Sequence, residues 1–280
     1  QDEYILAFDP SWSESESSDD FAMLLIKLNR DTRKGTVVHS YALSGANLKT
    51  HIKYAAYLLT YFNIVAVVGD YNGGVQFMNS CNESEVFKKQ NLRLEAIDAE
   101  LDKAQDYNKN ILKLKNQYNK TNRKFVFLRK PSSQWIRYAN ESLQAAFDHK
   151  KIFFAGAAMN DDYNNQRKAR IPIKELKFLR NDPNETSAVG ARMIDFVEHQ
   201  KDMMDLIKVQ CALVHVTTSV QGTQSFDLPP NLRKQKGADK ARKDSYSALV
   251  LGNWMVGVFL DMESHEGDQA HSTFTPMFIS

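Results

Sequence analysis

The sequence predicts an α/β fold: a mixed central sheet flanked by helices, closed as one domain over residues 1–280, with a helical insertion at about 83–124. Three observations lead there. Short apolar or alternating runs succeed one another before residue 45, helical stripes then alternate with buried strand-like runs, and no Pro- or Gly-rich linker divides the chain.

Tyr4 to Phe8 and Phe21 to Leu28 are apolar runs, and Thr36 to Ala42 alternates with β-branched residues, each bounded by turn formers or charges. Polar Asn29 to Gly35 reads as the hairpin turn between the second and third, so three successive antiparallel strands are expected. Leu48 to Phe62 spaces Ile52, Ala55, Ala56, Leu59 and Phe62 as one helical face, and Ile64 to Val68 is an uninterrupted β-branched run, as in a parallel strand covered on both sides. Glu83 to Asn122 lacks Gly and Pro and carries Leu92, Ile97, Leu101, Ile111, Leu114 and Tyr118 on a recurring stripe, which predicts one long helix or a helical hairpin. Phe125 to Leu128 reads as a strand, Ser132 to Phe147 as a helix opened by Pro131-Ser132-Ser133, and Ile152 to Ala155 as a strand. A long helix over Ser187 to Leu213, a hairpin over His215 to Phe226 turning at Gly222, and a closing apolar helix over Ser245 to Val258 complete the reading.

Composition narrows the class of partner. Lys and Arg number 36 against 34 Asp and Glu, a net charge of +2, which excludes a histone-like basic protein and an acidic disordered tail. Cys81 and Cys211 lie far apart with no neighbouring ligand at metal spacing, so neither a disulfide framework nor a zinc site is expected, and a reducing compartment is the default. No apolar run approaches the roughly 20 residues that span a bilayer. With no initiating Met and a strand pattern almost at the first residue, the chain reads as a domain excised from a longer polypeptide or as a processed product.

Three carboxylates stand out by position. Asp9 follows the first strand in Phe8-Asp9-Pro10-Ser11, Asp70 follows the buried fourth strand in Gly69-Asp70-Tyr71-Asn72-Gly73-Gly74, and Asp244 opens the last helix in Arg242-Lys243-Asp244-Ser245. If strands one and four are neighbours, Asp9 and Asp70 emerge at one rim, where a helix packed over the sheet brings Asp244. Taken singly, each acid also suits a plainer role, a turn residue after a strand or a carboxylate favoured by a helix dipole. Converging carboxylates persist only when a cation or protons compensate them. Oxygen donors without Cys or His suit Mg²⁺ or Mn²⁺, and two such ions about 4 Å apart serve the in-line hydrolysis of a phosphodiester.

These motifs resemble a known family. Phe8-Asp9-Pro10-Ser11-Trp12 with Asp19-Asp20-Phe21-Ala22, then Gly69 to Gly74, then Arg242-Lys243-Asp244-Ser245-Tyr246-Ser247-Ala248-Leu249, look like the nuclease domain of the large terminase subunit of tailed bacteriophages. The resemblance implies an RNase H-like fold of the RuvC-integrase type, with Asp9, Asp70 and Asp244 as metal-binding catalytic residues holding Mg²⁺ or Mn²⁺, two ions in the full arrangement. It further implies an endonuclease that cuts concatemeric double-stranded DNA in the cytoplasm of an infected bacterial host. The implied partners are the portal protein, the small terminase subunit and an ATPase domain whose phosphate-binding loop does not occur here. Two departures stand out: Ser245 follows Asp244 where many members carry a second acid, and the insertion is longer than the family leads one to expect. Rival readings are a Holliday-junction resolvase or RNase H-type enzyme of the same fold, and a DNA-clamping module whose acids no longer bind metal.

Around this centre, Arg233, Lys234, Lys236, Lys240, Arg242 and Lys243 form a basic segment in which Asp239 is the sole acid, expected to contact DNA phosphates. Arg167, Lys168 and Arg170 extend that track. Glu14, Glu16, Asp19 and Asp20 make the loop after Asp9 acidic, and Asp19, Asp20 or His271 could supply an auxiliary ligand; His265 and His271 otherwise read as surface residues. Trp12 packs at the base of the site or stacks on DNA, and Trp135 and Trp254 belong to the core.

Overall fold

The computed structural model describes residues 2–12, 19–44, 47–97, 123–130, 132–155, 195–220, 223–235 and 241–267. Strands β1 (Glu3–Asp9), β2 (Phe21–Asn29) and β3 (Lys34–Leu43) form the antiparallel succession that the apolar runs predict. Helix α1 (Leu48–Tyr61) then feeds β4 (Ile64–Asp70), which lies parallel to β1. Asp9 and Asp70 are the last residues of their strands, which run one and two positions past the ends of the apolar runs at Phe8 and Val68.

The chain continues through α2 (Tyr71–Glu83), α3 (Glu85–Lys89), β5 (Arg93–Ile97), β6 (Arg123–Arg129), α4 (Ser133–Asp148) and β7 (Ile152–Phe154). It closes with α5 (Asp195–Leu213), the hairpin β8 (His215–Thr218) and β9 (Gln224–Asp227), the short α6 (Pro230–Arg233) and α7 (Asp244–Gly267). The seven-stranded sheet runs β5-β6-β4-β1-β2-β3-β7, with β4, β6 and β5 all parallel to β1. Three antiparallel strands flanked by parallel ones, with helices on both faces, is an α/β arrangement of the RNase H-like class.

Two apolar layers sandwich the sheet. On one face Ile5, Ala7, Leu24, Val68 and Phe127 pack against α4, α5 and α7; on the other Leu6, Phe8, Phe21, Val67 and Leu128 pack against α1 and α2. Coverage on both sides explains why β1 and β4 are apolar without alternation. Trp135 and Trp254 meet edge to face at 5.8 Å between α4 and α7, in the core as their helical positions imply. Cys81 is buried and both cysteines are free thiols. Among the described residues no helix is long and apolar enough to cross a membrane.

The helical reading of residues 83–122 is corrected over part of its length. Helix α2 ends at Glu83, Ser84 caps the short α3, and Arg93–Ile97 is an edge strand parallel to β6. Helix-favouring residues are overridden there by tertiary pairing: Leu94 is buried, and its backbone N–H and C=O are both met by the Asn82 side-chain amide at 2.8 Å. That amide supplies what a further strand would. Residues 98–122 lie outside the described set, as do 187–194 of the helix expected there and the turn at Gly222.

Candidate metal centre at the sheet rim

Asp9 and Asp70 reach the same rim because β1 and β4 are parallel neighbours in which Phe8 pairs with Gly69. The register is fixed by close approach: a Cβ at Gly69 would lie 2.2 Å from Phe8 Cζ, so only glycine lets the ring lie over that strand. Directly after Asp70 the chain turns through Gly73 at φ +91°, a left-handed conformation that side-chain-bearing residues rarely adopt. The Trp12 indole packs on this turn, with Nε1 2.4 Å from where a Gly73 Cβ would stand, so Trp12 is a packing residue that still leaves 36% of its surface exposed.

Helix α7 crosses the opposite face of the sheet, the one lined by Ile5 and Ala7, and begins at Asp244, beside the start of β2. The Asp20 N–H donates to Asp244 Oδ2 at 2.8 Å, the Asn72 N–H donates to Asp70 Oδ1 at 2.6 Å, and Ser247, one turn into α7, hydrogen-bonds Asp9. Each acid thus has a protein donor that orients it. Burial, reinforced by the charges of Asp244 and Asp70, pushes the Asp9 carboxyl up to about 8, against the smaller opposing effects of Ser247 and Lys243. Burial also raises Asp244, to about 6; the Asp20 N–H and Arg242 oppose this while Asp19 and Asp20 add to it. Asp70 is raised by burial as well, partly offset by the Asn72 N–H.

Asp9 therefore senses both other acids, which places the three in one electrostatic neighbourhood. They do not close around a single point: among the described residues no group of three or more His, Cys, Asp or Glu side chains has ion-binding geometry. The donor set fits a hard divalent cation in kind: all three are carboxylates, and the like-charge repulsion that adds to burial at Asp9 and Asp244 is what a cation would offset.

Asp20 is one of the residues weighed as an auxiliary ligand. It is 8% exposed, and its carboxylate pairs with Arg242 at 3.4 Å while its N–H holds Asp244. Of the basic segment, Arg233 and Lys243 both pair with Asp227, at 3.2 and 3.1 Å. Lys234 is exposed after α6, whereas Lys236 and Lys240 lie outside the described residues, as do Arg167, Lys168, Arg170, Glu14, Glu16 and His271. The side chain of His265 is likewise outside the described set. Sequence reading missed Ser247 and Asp227. Ser247 stands three residues after Asp244, a spacing that puts both on one helix face; nothing marked Asp227.

No family model matches the chain, and no curated protein does. Among solved structures it is similar to the large terminase nuclease from the thermophilic phage G20c, determined with bound magnesium. The chain resembles a terminase nuclease. The two share 9% sequence identity over 91% of this chain and 82% of that one, with a TM-score of 0.43.

Proposed function

We propose that this protein is a divalent-metal-dependent endonuclease that hydrolyses phosphodiester bonds of double-stranded DNA, serving as the nuclease part of a viral genome-packaging terminase. One observation carries the reading: Asp9 and Asp70 end neighbouring parallel strands beneath Asp244, and each draws on a separate backbone or hydroxyl donor. Burial and the neighbouring acids outweigh Lys243 at Asp9 and Arg242 at Asp244, so both carboxyls hold their protons more tightly than usual.

Asp9, Asp70 and Asp244 would hold Mg²⁺ or Mn²⁺, which when bound activates water and neutralises the leaving oxygen. Ser247, the Asn72 N–H and the Asp20 N–H fix the direction of each carboxylate, so little reorganisation is left for the moment of reaction. Arg233, Lys234, Arg242 and Lys243 supply phosphate contacts, which position a duplex without reading its sequence. Lys236 and Lys240 extend the same segment. The terminase setting implies concatemeric DNA as substrate, the host cytoplasm as location, and an ATPase domain, portal protein and small subunit as partners; it rests on the motif resemblance.

The test is cleavage of supercoiled plasmid. The protein should nick or linearise it with Mn²⁺ or Mg²⁺, not with EDTA, and Asp70→Ala should lower the rate by at least 100-fold. Undiminished cleavage by equally pure Asp70→Ala protein would remove Asp70 from the mechanism. A strong preference for branched DNA or an RNA:DNA hybrid would replace the terminase assignment with a resolvase or RNase H-type one.

A further inference from the structure

Asp227 sits at the end of β9, where each of its carboxylate oxygens meets a different cation. Lys243 Nζ lies 3.1 Å from Oδ1 and Arg233 Nη1 lies 3.2 Å from Oδ2, while the Leu228 N–H donates to Oδ1 at 2.8 Å. Lys243 is tied a second time, donating to the Phe226 carbonyl at 3.0 Å. An anion with two oxygens, bridging a lysine and an arginine next to a backbone N–H, has the contact pattern of a phosphodiester. Both cations keep solvent access, with side-chain exposures of 66% for Arg233 and 34% for Lys243, so a phosphate from solution can reach them.

We infer that Asp227 is an internal stand-in for a DNA phosphate, and that Arg233 and Lys243 form a phosphate-binding subsite in which the Asp227 carboxylate competes with the incoming backbone. This rests on the DNA-nuclease reading and adds to it a residue that sets affinity. Hairpin β8–β9 carries the competing anion, so displacing Asp227 couples DNA engagement to release of the hairpin's end from Lys243, the residue next to Asp244. In the free protein the two cations share one carboxylate, which offsets one of their two charges; on DNA they exchange one anion for another.

Binding of a fluorescent 30-base-pair duplex, measured in EDTA so that no cleavage occurs, tests this with the full chain. Asp227→Asn keeps the side chain's shape and removes its charge. Exposed ion pairs of this kind are weak, so freeing two cations should tighten binding by roughly 2- to 30-fold and steepen the slope of log affinity against log salt by about 0.9 per phosphate gained. Lys243→Gln should then weaken binding more in the Asp227→Asn background than in the parent. Unchanged or weaker binding by folded Asp227→Asn protein overturns the inference, because Asp227 would then be ordering the segment rather than competing. If Asp227→Asn does not fold, Arg233→Gln/Lys243→Gln in the parent decides: competition predicts a loss under 10-fold, and a larger loss overturns it. Parent protein that fails to bind any duplex in EDTA or to cleave with metal refutes the DNA-nuclease reading itself, an outcome distinct from either result.

Discussion

Replacing Gly69 by alanine perturbs the fold and the proposed centre through one contact. The new Cβ would stand 2.2, 2.5 and 2.6 Å from three atoms of the Phe8 ring, so the ring must retreat by about 1.2 Å to reach the 3.4 Å at which ordinary contact begins. It has little room. Phe8 is 1% exposed, with the Phe77 and Phe21 rings centred 5.3 and 6.5 Å away. Overpacking of a core costs about 1–3 kcal/mol and expelling a phenylalanine about 3–5, while the alanine regains about 0.4–1 by restricting the unfolded chain. A net loss of about 2–3 kcal/mol should lower the melting temperature by roughly 4–12 °C. Because Phe8 and Gly69 are register partners directly preceding Asp9 and Asp70, the same displacement reaches both carboxylates. A misplacement of about 1 Å can cost 100-fold in rate, so cleavage by folded variant protein should fall steeply. Calorimetry and plasmid cleavage, both run below the variant's transition, read the two effects separately. Phe8→Leu in the same chain should recover part of the lost stability, which measures the coupling. A Gly69→Ala protein melting within about 2 °C of the parent would refute the reasoning.

Metal-free stability should depend on pH through Asp9. Its folded-state value of about 8 lies above the ordinary 3.8, so its contribution is complete below pH 4 and is lost as pH rises toward 8, at up to about 1.4 kcal/mol per unit; Asp244 adds a loss between about 4 and 6. Thermal melts in EDTA should therefore fall from pH 5 to pH 8, Asp9→Asn should flatten the profile, and Mn²⁺ should restore stability at pH 8 in the parent alone. A parent profile indistinguishable from that of Asp9→Asn would exclude Asp9 as the source. Asn82→Ala removes both bonds to the Leu94 backbone and should cost about 1–3 kcal/mol, read as faster amide exchange at Leu94 with exchange in β1 unchanged.

The first four strands and the rim acids were legible because they obey local rules. Runs such as Ile64 to Val68 have no other stable home than a covered strand, and Asp244 at a helix start follows from the apolar stretch behind it. What escaped depends on contacts distant in sequence. Arg93–Ile97 has the composition of a helix and becomes a strand because β6 and Asn82 satisfy its backbone. Likewise the basic segment reads as open charge until the fold brings Asp227 to Arg233 and Lys243, and Asp20 to Arg242. Charge counted along a chain says nothing of which acids will fold onto it.

The bond from the Asp20 N–H to Asp244 spans 224 positions of sequence. At a synthesis rate of about 5–20 residues per second, roughly 11–45 s separate the appearance of its two partners on a ribosome. Through that interval strands β1 and β4 can pair while the face awaiting α7 stays uncovered, with Asp9 lacking both Ser247 and its most strongly coupled acid. The three acids therefore come together only after α7 has been made: a nascent chain that ends before Asp244 carries two of them and cannot assemble the set until that helix docks.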